Sequence, residues 1–484
     1  MNIVLISTYE LGRQPFGLAS PAAWLRKRGH EVVCLDLSRQ SLDETAVRAA
    51  GLIAIYLPMH TATRLAAKLI PGLRELNSYA DLCCYGLYAP MNADYLRTLG
   101  VATILGGEFE HALAQLAEHL QSNDRPEQSP QVEPIVSLER LTFEVPDRAG
   151  MPLINKYAHL IIPGERFRLV GSTEASRGCK HHCRHCPIVP VYKGVFRIVS
   201  RDVVMKDIRQ QVAAGAEHIS FGDPDFFNGI RHAMDLVEEF HDEFPSVTYD
   251  VTIKIEHLRK YEAHLPKLKD TGCLFVISAV EYLDDAVLRA LDKGHTREDF
   301  LHVVHSFRAL GMILHPTFVP FTQWTTVESY LELLRVLHAE SLVENVAPIQ
   351  LGIRLLIPAG SRLLELDEVR SNVGPFDPQS LYYPWKHTDP RVDALSETVQ
   401  AIAADGDRKK ESRTTVFERI WKAAHVAAGL DPPSIQTSRT IPAAVPFLSE
   451  PWYCCAEPTR EQFVSIGQVS KKIEEPVPAA GGYV

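Results

Sequence analysis

Short apolar runs alternate with amphipathic helical stretches in two separate parts of this chain. That alternation restricts it to folds in which helices cover a largely parallel sheet. In the first part, residues 2–7, 31–37, 52–57, 82–86 and 102–105 read as strands. Residues 21–28 read as a helix stopped by Gly29, and Gly106-Gly107 leads into a helix over residues 108–120. In the second part, strands are expected at 168–172, 218–222, 248–255, 274–279, 313–319 and 349–356. Helices over 202–214, 230–243 and 327–338 fall between them. This makes six βα units, fewer than the eight of a closed barrel.

A polar stretch with three prolines at 122–134 separates the two parts. The expected organisation is a sheet domain over 1–121, a linking and wrapping segment over 122–165, a βα domain over 166–370 and an extension over 371–484. In the extension, 390–404 and 413–429 read as helices and 432–451 as loop. At 46% hydrophobic and 23% charged, the composition is that of a globular protein. Lys+Arg total 50 and Asp+Glu 60, a net charge of −10, which excludes a mainly electrostatic nucleic-acid binder. Apolar runs such as 51–58 and 346–358 fall short of the ~20 residues of a membrane span. The first residues, MNIVLISTY, read as a strand rather than a leader, so no membrane partner and a cytoplasmic location are expected.

Nine cysteines are an odd count, and their clustering is not that of a disulfide framework. Cys179, Cys183 and Cys186 follow the spacing C-x3-C-x2-C on one short stretch. Three thiolates there can hold three irons of a [4Fe-4S] cube, whose usual complement is four cysteines, and so leave one iron open. The competing reading is a structural zinc site completed by His181, His182 or His185. Several strands of the second part end in polar residues: Asp223 and Asp225, Glu256, Ser278 and Glu281, Thr317, Arg354. Their recurrence points to one shared site at the strand ends.

The stretches GSTEASRGCKHHCRHCP (171–187), HISFGDPDFFNG (218–229), YDVTIKIEHL (249–258), DKGHT (292–296), PIQLGIRLLIPAGS (348–361) and the tail YCCAEP (453–458) resemble the radical SAM superfamily. More narrowly, they resemble its CUAEP/CCAEP-tail proteins. The resemblance implies an α/β fold: an N-terminal Rossmann-like doubly wound sheet, a partial (β/α)6 barrel and a helical, irregular C-terminal extension. It implies an enzyme that binds a [4Fe-4S] cluster at Cys179, Cys183 and Cys186 and reductively cleaves S-adenosylmethionine (SAM) chelated to the open iron. It further implies a small-molecule substrate and an external flavodoxin- or ferredoxin-like electron donor. Gly222 and Asp223 stand where the family's Gly-Gly-Glu strand end meets the SAM amino group, with Asp223 replacing the second glycine. Ser278 and Glu281 match a polar pair that meets the ribose or carboxylate, and His185 a ring that packs on adenine. Arg354 is the expected partner of a carboxylate of SAM or substrate.

A Rossmann-like sheet ahead of such a barrel resembles a cobalamin-binding arrangement, with Ser20, Gly106 and Gly107 as ligand-loop candidates. The D-x-H-x-x-G motif for a cobalt ligand is missing. Cobalamin, a domain that only shapes substrate access, and another ligand all stay open. Cys83-Cys84 reads as core, one thiol on each face of a strand. Cys454 and Cys455, with Glu457 as a nearby acid or base, sit in no apolar strand and read as catalytic candidates. Relatives with the resembled tail carry selenocysteine at the position of Cys455. Three reactions remain open: hydrogen abstraction, methyl transfer through cobalamin, and aminocarboxypropyl transfer to a thiophilic atom. A non-catalytic zinc- or redox-binding protein is the reading from another class, and colour separates it from a cluster protein.

Overall fold

The computed structural model describes residues 1–122, 135–434 and 445–450. Its first sheet contains β1 (Asn2–Ser7), β2 (Glu31–Asp36), β3 (Leu52–Tyr56), β4 (Asp81–Tyr85), β5 (Thr103–Gly107) and β6 (Ile135–Ser137). The strand order is β2-β1-β3-β4-β5-β6, and every pair is parallel. β3 is buried along its whole length, as a strand covered by helices on both faces must be. Cys83 and Cys84 lie fully buried in β4, one in the core on each face, as the period of two requires. Strand β6 lies within the stretch read from sequence as a linker. It is too short to signal itself.

The helix Phe16–Lys27 begins five residues before the start expected at Pro21. Proline inside a helix leaves the carbonyl four residues earlier without an amide partner. Here that carbonyl belongs to Gly17, and the Tyr85 hydroxyl donates to it at 2.8 Å. A tertiary contact thus supplies the hydrogen bond that local sequence withholds.

The second sheet contains β7 (His159–Ile161), β8 (Arg168–Thr173), β11 (His218–Phe221), β12 (Thr248–Thr252), β13 (Cys273–Glu281), β14 (Leu314–Phe318) and β15 (Phe447–Leu448). A hairpin of β9 (Ser176–Gly178) and β10 (Phe196–Ile198) stands apart from it. The order is β14-β13-β12-β11-β8-β7-β15. Within this sheet β8, β11, β12, β13 and β14 are parallel, β7 runs antiparallel to β8, and β15 runs antiparallel to β7. β14 and β15 are opposite edges, yet His315 of β14 lies 2.8 Å from the carbonyl of Pro446, next to β15. The sheet therefore curls until its edges meet, as an open half-barrel whose gap is closed by the segment expected to be loop. No helix among the described residues is long and apolar enough to cross a membrane.

The sixth strand expected at 349–356 does not form. Pro348–Gly352 is a 3-10 turn, and beyond it Arg354 makes an isolated parallel bridge to Phe321. The run is apolar because Ile353, Leu355 and Ile357 are buried with Trp385. Its backbone is met by a helix instead: Gln400, in Pro390–Lys409, donates to the Gly352 carbonyl at 2.9 Å.

Candidate functional site

The carboxyl ends of the two sheets face one cavity of about 280 Å³. The first sheet contributes Glu10, Arg13, Phe16, Tyr56, Tyr88 and Phe109, among others. The half-barrel contributes Cys179, Cys183 and Cys186 together with His185, Gly222, Asp223 and Glu281. The three cysteines lie on the loop of the β9–β10 hairpin. Gly178 enters that loop at φ +71°, where a Cβ would stand 2.5 Å from the carbonyl of Val195.

The loop is tied down on several sides. Arg177, buried, meets Glu110 at 2.6 Å, Glu174 at 2.9 Å and Glu108 at 3.3 Å. Ser20 belongs to this cluster: it donates to Glu110 at 2.7 Å and receives Arg177 at 3.2 Å. The amide of Arg184 donates to Leu291 at 2.9 Å, and Arg362 donates to the His182 carbonyl at 2.6 Å. Burial, then Asp225, pushes the Cys179 thiol up to about 11. No disulfide joins the seven described cysteines.

The donor set fits a soft metal cluster held by three thiolates. The imidazoles that would complete a zinc set are turned elsewhere. His181 is 3.1 Å from Asp225 and His185 is 3.1 Å from Glu281, while His182 is exposed.

Glu281, at φ +70° after an irregularity in β13, is approached by Lys293 at 3.3 Å as well as His185. Burial would raise its carboxyl, but Lys293 and His185 outweigh burial and hold it at about 2. Asp223 accepts from the Ala175 amide at 2.9 Å and the Ser176 hydroxyl at 2.6 Å. Burial still pushes it up to about 7. It stitches the end of β11 to the strand that leads into the cysteine loop.

Two expected SAM contacts lie elsewhere. Ser278 is fully buried outside the cavity lining, between Ile277 in the barrel-interior cluster and Ala279 in the cavity wall, so alternation turns it to the helix side. Arg354 pairs with Asp393 at 2.6 Å and lies 3.7 Å over the ring of Trp385. The glycines assigned to ligand loops serve packing. A Cβ on Gly106 would meet Pro90 at 2.5 Å, and one on Gly107 would meet the Ser137 carbonyl at 2.1 Å, although Gly107 also borders the cavity. Cys454, Cys455 and Glu457 lie outside the described residues.

Sequence reading missed Glu10, Arg13, Glu174, Lys254 and Lys293, which all line the cavity. The signal available for Glu10 and Arg13 was their place just after the first strand, where doubly wound sheets bind ligands. Sequence reading also gave no role to His257, which closes a triad with Asp225 and the half-buried His181.

Residues 173–334 match the profile of the Radical SAM superfamily. The chain thus carries a domain of the radical SAM superfamily, an enzyme superfamily whose cofactors are a [4Fe-4S] cluster and SAM. No protein of curated function matches the sequence. Among solved structures, the cobalamin-dependent SAM radical enzyme OxsB with aqua-cobalamin is 13% identical at a TM-score of 0.68, over 98% of this chain and 79% of that one. The methyltransferase TsrM from Kitasatospora setae, with cobalamin and a [4Fe-4S] cluster, is 14% identical at 0.60, over 88% and 99%. TsrM with a tryptophan substrate and a SAM analogue is 16% identical at 0.55, over 70% and 72%. These likenesses show a shared fold. No described histidine of the first sheet lines the cavity, so that wall offers no imidazole to a cobalt ion.

Proposed function

We propose that Cys179, Cys183 and Cys186 hold the cluster and that Gly222, Asp223, Glu281 and His185 border the SAM site. The substrate is a small molecule lodged against the first sheet. The observation that carries this reading is the single cavity onto which all of these side chains open. The bound cluster would supply one electron for reductive cleavage of SAM. The chain's own part is to fix the cysteine loop through Arg177, orient His185 through Glu281, and close the site with the apolar wall of the sheet domain. The electron comes from an external flavodoxin- or ferredoxin-like donor, in a reducing cytoplasm. A cavity of about 280 Å³ and a net charge of −10 support a small substrate over nucleic acid.

The tail resembles that of the CUAEP/CCAEP proteins, and we extend the proposal to it. The described chain stops at Glu450, which pairs with Arg39 at 2.8 Å and lies against Gly12. Gly12 sits between Leu11 and Arg13, both in the cavity wall. Cys454 is four positions beyond Glu450 in the chain, a span of at most about 14 Å. On this reading the two thiols and Glu457 take part in turnover as hydrogen donor, acceptor or ligand to a thiophilic atom.

The test is anaerobic reconstitution with iron and sulfide, then SAM and dithionite, with the nucleoside identified by mass spectrometry. A brown protein that forms 5′-deoxyadenosine or methylthioadenosine meets the proposal, and the nucleoside identifies the bond cleaved. A colourless protein that binds zinc and leaves SAM intact overturns it. The fold shared with OxsB and TsrM favours a second reading, methyl transfer with cobalamin. Such a cofactor would take no histidine ligand from the described cavity wall of the sheet domain. Co-elution of hydroxocobalamin with the protein on gel filtration decides that reading.

A further inference from the structure

Most charged heads in the cavity are committed to protein partners. Asp225 serves His181 and His257, Glu281 serves His185 and Lys293, Asp223 serves Ala175 and Ser176, and Glu174 serves Arg177. Glu10 and Arg13 differ. They stand on the turn after β1, where the Arg13 amide donates to the Glu10 carbonyl at 2.8 Å. Both line the cavity, yet no ion pair joins their side chains.

Oε2 of Glu10 and Nε of Arg13 are both shut off from solvent without a hydrogen-bond partner. The guanidinium is gripped from one side only. Its Nη2 donates to the Ser220 hydroxyl at 3.2 Å, which donates to Asp250 at 3.1 Å. Burial, then Glu174, raises the Glu10 carboxyl well above its usual range when no cation is beside it, and a bound ammonium would restore the carboxylate. A carboxyl oxygen and a guanidinium nitrogen buried without partners in one cavity are costly when nothing is bound. A ligand with an ammonium and a carboxylate on neighbouring atoms satisfies both at once.

We propose that Glu10 and Arg13 form a zwitterion subsite that holds the α-ammonium and α-carboxylate of an amino-acid substrate, with its side chain along the apolar wall of Phe16, Tyr56, Tyr88 and Phe109. This deepens the reading above and rests on it: the amino-acid arm of SAM belongs at the cysteine loop, so the pair serves a second molecule. Two charges fix the orientation of the ligand's head, and the aromatic wall selects an apolar side chain. Gly222 leaves room for this arrangement, since a Cβ there would already touch Nη1 of Arg13 at 3.4 Å.

The test uses the full-length chain without its cluster and follows thermal stabilisation by each of the twenty L-amino acids. Every amino acid that binds is compared with its decarboxylated amine and its deaminated acid. At least one apolar amino acid is expected to stabilise the chain, with both truncated analogues binding at least ~10-fold more weakly. Glu10→Gln should abolish the preference for the amino acid over the deaminated acid. Arg13→Gln should abolish the preference over the amine. A structural role alone would weaken all three ligands together and overturn the assignment, as would no stabilisation by any amino acid. SAM affinity is then measured on the reconstituted variants. A tenfold loss would hand the pair to SAM and also overturn the proposal. Failure to hold a cluster or cleave SAM would sink the radical reading, while the amino-acid result, obtained without cluster, would stand separately.

Discussion

Nη1 of Arg177, two residues before Cys179, sits 2.6 Å from Oε1 of Glu110 at the start of the last helix of the first sheet. One buried ion pair thus ties the cysteine loop to the other sheet. Glu108 and Glu174 share the same guanidinium, which also lies over the ring of Phe143 at 4.8 Å. Removing the cation strands three carboxylates in a buried site. Breaking such a pair typically costs about 3–5 kcal/mol. Arg177→Met is therefore expected to lower the unfolding free energy, read from a denaturant titration, by an amount in that range. It should also reduce the iron bound on reconstitution, because the loop loses its anchor. Unchanged stability with full iron content would show that the cluster is held by other contacts.

The Tyr85 hydroxyl and the Gly17 carbonyl support a second prediction. Tyr85→Phe leaves a buried carbonyl unpaired, at a cost of about 1–3 kcal/mol. Pro21→Ala restores an amide in position to bond that carbonyl within the helix. In the Pro21→Ala background, Tyr85→Phe should therefore cost clearly less. Equal losses in both backgrounds, read by urea unfolding, would dissociate the tyrosine from the proline.

These residues also mark how far the sequence was legible. The parallel strands of both sheets were readable because their apolar runs are bounded by turn residues and buried on both faces. The cysteine spacing likewise carries its chemistry within eight residues. The helix start before Pro21 was not readable, because its compensating donor lies 68 residues away. The absent sixth strand failed for a related reason. Burial of 349–356 is visible in sequence, but the partner of its backbone, a helix near residue 400, is not. Glu10 and Arg13 were passed over because a charged pair after a strand looks like any exposed turn until a second domain closes over it.

Asp223 gives the chain a pH signature. Its folded carboxyl is raised to about 7 by burial, above the roughly 3.9 of an unfolded aspartate. The folded state therefore holds the proton more tightly. The stability linked to this group is greatest below about pH 4 and falls as pH rises through the window from about 4 to 7. The cluster-free chain should melt at a lower temperature at about pH 8 than at about pH 5.5, where carboxylates held low, such as Asp225 at about 2, remain ionised. Asp223→Asn removes the titration and should shrink that difference. An undiminished difference in the variant would assign the effect to other carboxylates.

Arg354 separates the structural reading from the sequence resemblance. With its guanidinium on Asp393 and Trp385, it has no part in the cavity lining. Arg354→Gln is expected to leave SAM affinity within about twofold while lowering stability modestly, since the pair is partly exposed. Equilibrium dialysis of SAM against the reconstituted variant measures the first quantity. A tenfold loss would restore Arg354 to the SAM site.

The tail thiols provide the last prediction. Glu450 is held at Arg39 and Gly12, so any chemistry by Cys454 or Cys455 depends on a short tether to a fixed point. Cys455→Ser removes the more nucleophilic atom while conserving shape and tether. It is expected to keep the cluster's absorption near 400 nm and its SAM affinity, and to form no product from the native substrate. Arg39→Gln loosens the tether without touching a thiol. It should lower the rate of product formation several-fold and leave substrate-free SAM cleavage unchanged, because only events that need the tail depend on where Glu450 is moored. Full turnover by Cys455→Ser would remove the thiol from the mechanism. Full turnover by Arg39→Gln alone would show that the tail reaches the site without that anchor.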